Sequence, residues 1–429
     1  MQYIPCSRHV LINKCCKALN DKEQRQFRSF AEILNAFVHF KSQKNLELMK
    51  QSYAYFNPNQ DGPVFPPLTH DEESQQAGLL ADTFKRVLFN ANYQELTEQD
   101  IKTALTQSSL VPVNTQVNLD DYQRILLFYR GSSIKQATIK RFFRKKEISF
   151  ENYDYVAVLL EIKQQQYFLD RGESEDVLDF KPGKIYLYLY KNIPYYDLEL
   201  LFPNVKISMN LRDKLMLIVP ALGAAIPMLI KILPALGLMV GAIALVVFGW
   251  NLDGNFDVDV KDPKSIYPLL LASLSAFAAL GGFAVRQYIK YKSKRLEFLK
   301  KVTDVLFFKS LDVSQGVLST VIDSSEEEQS KGMLIVYYLL MQEGKALGKQ
   351  ELSNNVATWI KENFSVDADI NIEIALEKLM NLQAPSDSGD GTSAVIEKVV
   401  SDQYQASSID SAKRIIDYTW DNVFQYSNS

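Results

Sequence analysis

Asp253, Asn255, Asp257 and Asp259 alternate along one short stretch like oxygen ligands of a cation, but the glycine and terminal glutamate of a calcium loop are missing. Topology and solubility account for these acids, with weak divalent binding as the alternative. Asn57, Asn59, Asp61 and Gly62 imitate the opening of a calcium loop as well. There Leu68 stands where the bidentate glutamate belongs, and Pro58 and Pro63 distort the turn, so a proline-rich turn is the reading. Gly348-Lys349 has the look of a phosphate loop's end, yet Glu343 holds the place of its first glycine and Gln350 that of its hydroxyl residue. His9, His39 and His70 are the only histidines and show neither HExxH nor Cys/His spacing, which leaves zinc and a histidine-based triad without support. Cys6, Cys15 and Cys16 make no CxxC pair and read as incidental thiols of a reducing compartment. Ser325, three residues before Glu328, reads as a helix capping box. Asp197 and Asp213 are catalytic candidates by position alone, and Asp197 is more simply the cap of a short helix. The expectation is therefore a protein that is not an enzyme and that carries no catalytic, cofactor or metal set.

The strongest basic cluster is Lys135, Lys140, Arg141, Arg144, Lys145 and Lys146, interleaved with Phe142 and Phe143. Such a patch suits anionic lipid headgroups, each basic residue near the surface adding ~1 kcal/mol, and Lys140, Arg141, Arg144, Lys145 and Lys146 are the candidate contacts. A solvated strand face paired with acids elsewhere explains it equally. The formal net charge of −4 suggests no polyanion partner. From Glu326 to the last residue eight Lys and Arg face 17 Asp and Glu, so phosphate neutralisation is out of reach there and nucleic acid is not expected as a partner.

These residues hang on a chain whose middle is almost uncharged, from Leu215 to Trp250 and again from Ile266 to Val285. Some 18 or more consecutive apolar residues read as a transmembrane helix. The first tract's 36 residues would reach ~54 Å as a helix, longer than a ~30 Å hydrocarbon layer. Pro220, Pro227, Lys231 and Pro234 break it, which predicts a pre-span segment at 215–230 and spans at about 232–250 and 266–285. Arg286, Lys290, Lys292, Lys294, Arg295, Lys300 and Lys301 crowd the second exit, so both large soluble parts are expected on the cytoplasmic side. A three-span version would put the N-terminal half outside. Gly237 and Gly241, with Ala278 and Gly282 in the second span, give smooth faces for helix packing within the hairpin, or for a homo-oligomer. Met1 to Asn20 lacks the apolar core of a secretory signal, so the internal spans are expected to direct insertion.

The fold class expected is an α+β membrane protein: a two-helix transmembrane hairpin between an N-terminal helical plus small-sheet region and a C-terminal winged-helix-like region. Helical spacing marks Asn20 to about Tyr55, Ala77 to Ala91 and Thr97 to Leu105, giving a helical region at 1–110. Tyr122 to Tyr129, Val156 to Ile162 and Lys184 to Tyr190 are rich in aromatic and β-branched residues and predict a small sheet unit at 111–210. The membrane region is 211–290. In 291–429, the helix of the second span continues to about Phe308, and helical patterns at Glu326 to Met341, Lys349 to Phe364 and Ile372 to Leu382, a strand at Ala394 to Val400 and a helix at Asp410 to Tyr426 suggest a winged-helix-like module.

Ile4-Pro-Cys-Ser-Arg, Phe56-Asn-Pro-Asn, Phe128-Tyr-Arg-Gly, Asn192-Ile-Pro-Tyr-Tyr-Asp-Leu-Glu-Leu-Leu-Phe-Pro, the paired apolar tracts and Trp420-Asp-Asn-Val-Phe occur in this order along the chain. Together they resemble the transmembrane protein 143 group and its bacterial and plant relatives, which share a domain of unknown function. The resemblance implies a membrane protein with two spans and no established activity. Asp21 and Glu23 follow soon after the start, unlike the acid-poor presequence of a mitochondrial relative. Bacterial inner membrane or thylakoid is the placement expected, or a mitochondrial or chloroplast membrane if the source is eukaryotic. Function is expected to be that of a non-enzymatic, membrane-anchored scaffold or regulator whose partners are membrane lipid and unidentified proteins. The alternative is an oligomeric channel or transport component that uses the proline-broken tract at 215–250.

Overall fold

The computed structural model describes residues 3–4, 6–60, 66, 68–106, 113–141, 144–174, 178–209, 237, 263–367, 371–386, 391–399 and 402–423. They fall into two units. The first comprises Met1–Ser108, Val117–Asn204 and Lys309–Ser429, and the second Ser109–Gln116 and Val205–Phe308.

The first unit opens with helices α1 (Arg8–Cys16), α2 (Asp21–Ala54) and α3 (His70–Asn90). Asn20 and Glu23 form a reciprocal capping box at the start of α2, and Thr69 and Glu72 form another on α3, so the orphan amides of both first turns are satisfied locally. Strand β1 (Gln94–Glu95) and helix α4 (Glu98–Thr106) follow. After β2 (Val113–Gln116), which belongs to the second unit, come the long strands β3 (Tyr122–Arg141) and β4 (Arg144–Ile162), helix α5 (Gln165–Asp170) and β5 (Ile185–Pro194). A short turn of 3-10 helix at Tyr195–Leu201 closes this stretch. The second unit takes up β6 (Lys206–Met209), antiparallel to β2, and helix α6 (Pro263–Lys309).

Strand β7 (Ser310–Val313) and helix α7 (Gln315–Glu343) return to the first unit. Its main sheet is antiparallel with order β1-β3-β4-β5-β7, so segments from either side of the second unit lie side by side. The chain ends with β8 (Leu347–Gly348), α8 (Lys349–Phe364), α9 (Glu373–Met380), β9 (Gln383–Pro385), β10 (Thr392–Ala394), β11 (Ile396–Lys398), β12 (Gln403–Ala406) and α10 (Ile409–Asp421). Helix α7, β8, α8, α9, β11 and β12 follow one another in the connectivity of a winged helix, with sheet order β11-β12-β8 and the β9–β10 hairpin inserted after α9.

Two hydrophobic cores share the same two long helices. Phe27, Phe30, Leu34 and Phe37 on the first half of α2 meet Met333 to Leu340 on the second half of α7, together with α1, α8, α9 and α10. Leu46, Met49 and Tyr53, further along α2, meet Val317, Leu318, Val321 and Ile322 at the start of α7, over Leu187 and Leu189 of the sheet. Ring pairs such as Phe30–Tyr337, with centroids 4.3 Å apart, fix the crossing. Each such large apolar side chain stabilises the fold by roughly 1.5–3 kcal/mol relative to exposure.

The expectation of an integral, multi-pass membrane protein is overturned, because among the described residues no helix is long and apolar enough to cross a membrane. The second apolar tract is no span of its own but part of α6, a single helix of 47 residues that continues, as expected from the sequence to about Phe308, through the exposed Arg286, Lys290, Lys292 and Lys300. Apolar and basic stretches form one rod, ~70 Å long at 1.5 Å per residue. The transmembrane hairpin, the membrane placements, the membrane-anchored scaffold and the channel all fall with this expectation. Apart from Gly237, the tract from Leu215 to Trp250 lies outside the described residues. The start of α7 also differs from the expectation at Glu326. It begins eleven residues earlier, at Gln315, because Val317, Leu318, Val321 and Ile322 have the sheet to cover, and Ser325 is buried inside the helix instead of capping it.

Gly131 sits on β3 with φ +70, and a Cβ there would lie 2.3 Å from Asp154 Oδ2. Gly172 has φ +77 with open space around it. Gly172→Ala should therefore lower the unfolding free energy by about 1 kcal/mol, the left-handed penalty alone, and Gly131→Ala by clearly more in urea titration. Equal losses would mean that Asp154 simply moves aside.

Candidate functional site

Between the two cores, the middle of α7 turns polar. Lys331, only 3% exposed, donates from Nζ to Glu328 Oε1 at 2.7 Å, to the Ile4 carbonyl at 2.7 Å and to the Cys6 carbonyl at 2.9 Å. Three acceptors satisfy an ammonium completely, which is what allows it inside. Glu328 in turn accepts from Asn92 Nδ2 at 3.3 Å and from the Ile4 amide at 3.4 Å. Arg8 reaches Glu326 at 3.1 Å and Glu327 at 2.6 Å, and His39 Nδ1 lies 2.8 Å from Glu326. The segment around Ile4, Cys6 and Arg8 is thus strapped across α7. Burial pushes the Cys6 thiol up, and does the same to Cys15 and Cys16, so the nucleophilic thiolate is disfavoured at all three.

The strap continues onto the sheet. Arg130, 8% exposed, holds its guanidinium 5.0 Å from the ring centroids of Tyr3 and Tyr93 and 4.7 Å from that of Tyr155. Three ring faces replace water around a buried cation. Its Nε makes no hydrogen bond. The Tyr3 hydroxyl donates to Asp154 Oδ2 at 3.4 Å, the carboxylate that crowds Gly131.

Beside the strap opens a cleft of about 560 Å³, lined by Phe89, Asn92, Tyr93 and Gln94 on one wall and by residues of α8, α9 and the turn before α9 on the other. Its charged lining residues, Lys349 and Glu373, are paired with each other. A smaller recess next to it reaches Glu328 and Lys378. Burial pushes the Lys378 ammonium down to about 8, with repulsion from Lys41 adding to the effect and Glu377 opposing it, while Nζ donates to Asn90 Oδ1 at 3.0 Å and to Gln329. A separate cleft of about 190 Å³ brings together His70, Glu73, Arg124, Glu161 and Lys163. There burial raises the Glu161 pKa against the pull of Arg124, whose Nε lies 3.4 Å away, and Glu161 Oε2 accepts no hydrogen bond.

Residues 122–316 match a family described as a protein of unknown function, DUF3754. No solved structure matches the chain. The matched stretch runs from the start of β3 to the start of α7 and so takes in the caged Arg130, but not Glu328, Lys331 or either wall of the larger cleft.

Of the residues singled out in the sequence, Cys6, His39, His70, Glu328, Lys349 and Gln350 reach these places, and those expected for a pore, helix packing or lipid contact lie elsewhere. Pro220, Pro227, Lys231, Pro234 and Gly241, and the acidic stretch from Asp253 to Asp259, lie outside the described residues. Gly237, Ala278 and Gly282 are exposed, and a Cβ added at Gly237 or Gly282 would meet nothing within 4 Å. Lys140 pairs with Lys145 and Arg141 with Arg144 in the ladder, which puts the basic cluster at the tip of the β3–β4 hairpin. Asn57 Oδ1 accepts from the Asn59 amide at 3.0 Å, an Asx turn. Asp197 is not a cap: the 3-10 turn starts after Pro194, and Asp197 is buried within it, 3.8 Å from Lys309 Nζ. Among the described residues no group of three or more His, Cys, Asp or Glu could hold a metal. Sequence reasoning missed Lys331, put Glu328 in a capping box, and met Arg8 and Arg130 only inside the segments that carry the family resemblance. Two signals were there to read: charges at i and i+3 just before an apolar helical run, and an arginine inside a strand.

Lys331→Met should cost about 3–5 kcal/mol in chemical denaturation, because it leaves Glu328 buried without its cation, and the double replacement Glu328→Gln with Lys331→Met should cost less. Lys378 gives a pH signature. Between about 8 and 10.5 the unfolded chain holds a proton that the folded chain has released, so its contribution makes stability rise with pH across that window. Lys378→Met should remove this rise when urea midpoints are compared at about pH 7 and about pH 9.5.

Proposed function

We propose that the chain is a non-catalytic binding protein whose winged-helix-like C-terminal part recognises other proteins rather than nucleic acid. The observation that carries this reading is the arrangement of charge on α9, the helix in the recognition position of such a module. Glu373 and Glu377 are its exposed charges, whereas Lys378 points inward to Asn90 and Gln329. Lys349, at the start of α8, is held by Glu373. A helix that reads DNA must present basic side chains to phosphate, and this one presents acids. The excess of 17 Asp and Glu over eight Lys and Arg beyond residue 325 supports the same reading.

We also propose kinship with the transmembrane protein 143 group. The short segments that carry the resemblance lie at internal contacts: Tyr3, beside the first, stacks on Arg130 of the third. The Phe56 carbonyl accepts from the Ile185 amide at 3.0 Å, and Trp420 lies 5.3 Å from the Phe40 ring. Shared motifs of this kind support a shared first unit.

A photo-crosslinking residue at Glu377, used in cells with the full chain, should give adducts removed by protease and untouched by nuclease. The purified chain should also fail to bind a short DNA duplex at low salt. Binding with a steep salt dependence would overturn the proposal.

A further inference from the structure

We infer that the larger cleft takes an extended, uncharged stretch of a partner polypeptide, added as a strand beside β1. This rests on the protein-binding reading and gives it a surface and a ligand chemistry. The cleft's volume of about 560 Å³ lies in the range of ligand sites. Its lining is rich in side-chain amides, from Asn92, Gln94, Gln350 and Asn371, with the Ser353 hydroxyl among them. A carboxamide carries both donor and acceptor and so mirrors the main-chain amide. Lys349 and Glu373 neutralise each other, so the walls offer a charged ligand no net attraction.

The sheet supplies the second half of the argument. Among the described residues β1 is an edge strand, paired with β3 on one side only. The Leu96 amide donates to the Leu127 carbonyl at 2.8 Å, and antiparallel alternation then turns the N–H and C=O of the preceding residue, Glu95, away from β3. An outward-facing N–H and C=O of this kind offer a guest strand its first pair of ladder bonds. Gln94 belongs both to this edge and to the cleft wall. Phe89, 41% exposed and set edge-on against Phe128 at 5.5 Å, adds a fixed ring for one apolar side chain of the guest. A sugar or a nucleoside could use the amides, but neither would use the strand edge.

The probe is a dodecapeptide selected by display against the full chain, capped at both ends and titrated by calorimetry. Ser353→Trp, which fills the cleft, and Gln350→Ala should each weaken it by about tenfold or more with the melting temperature of the free protein unchanged. Amide exchange at Glu95 should slow by at least about tenfold in the complex, the signature of a new ladder bond. Should Ser353→Trp fail to fold, Gln350→Ala and the Glu95 amide decide. The inference is overturned if no peptide is selected, if the variants bind as the parent does, if Glu95 exchange is unchanged, or if glucose or adenosine occupies the cleft instead. Protease-sensitive adducts at Glu377 alongside any of these results would leave protein binding standing and move its surface elsewhere.

Discussion

A buried ammonium with three oxygen partners sets the register of the first unit. Lys331 lies where the apolar faces of α7 change partners, from the sheet on one side to the helical C-terminal part on the other. An unpaired charge there would be prohibitive, so the chain must bring Glu328 and the carbonyls of Ile4 and Cys6 to one point. That requirement orients the strap, and the strap carries Tyr3 onto Arg130. A buried ion pair adds little net stability compared with an apolar replacement, but it accepts one arrangement of its neighbours and penalises the rest. The helix pair α2 and α7 supplies the strength, and the seam between the two cores supplies the register.

Much of this architecture is legible in the sequence because it rests on periodicity. Phe27, Phe30, Leu34, Phe37 and Val38 announce α2, and Ile185, Leu187 and Leu189 alternate with tyrosines as a half-buried strand must. The sheet is harder to anticipate. Its outer strands β1 and β7 have only two and four residues and come from distant parts of the chain. The seam is harder still, since Glu328 and Lys331 look like an ordinary surface pair one helical turn apart until residues from the chain's start cover them.

The apolar tracts teach a different lesson. The helix that holds Ile266 to Val285 is legible to about Phe308, well past its hydrophobic run, because a helix continues as long as its residues tolerate the conformation, and lysines and arginines tolerate it well. Hydropathy marks a stretch of helix without marking its end. The larger cleft escaped notice for a related reason: amides and a serine scattered from residue 92 to residue 371 have no spacing that singles them out.

The strap also imposes an order in time. The Ile4 carbonyl and the Lys331 ammonium that it receives are separated by 327 residues, so during synthesis the strap waits for its partner. At ~5–20 residues per second that delay is roughly 15–65 s. Once Tyr155 has been made, Arg130 and its ring of tyrosines can assemble, but nothing fastens the strap to α7 until Lys331 follows. The strap is therefore fastened to α7 only after every strand of the main sheet has been made, and contacts such as that of Gln26 with Asp410 wait longer still.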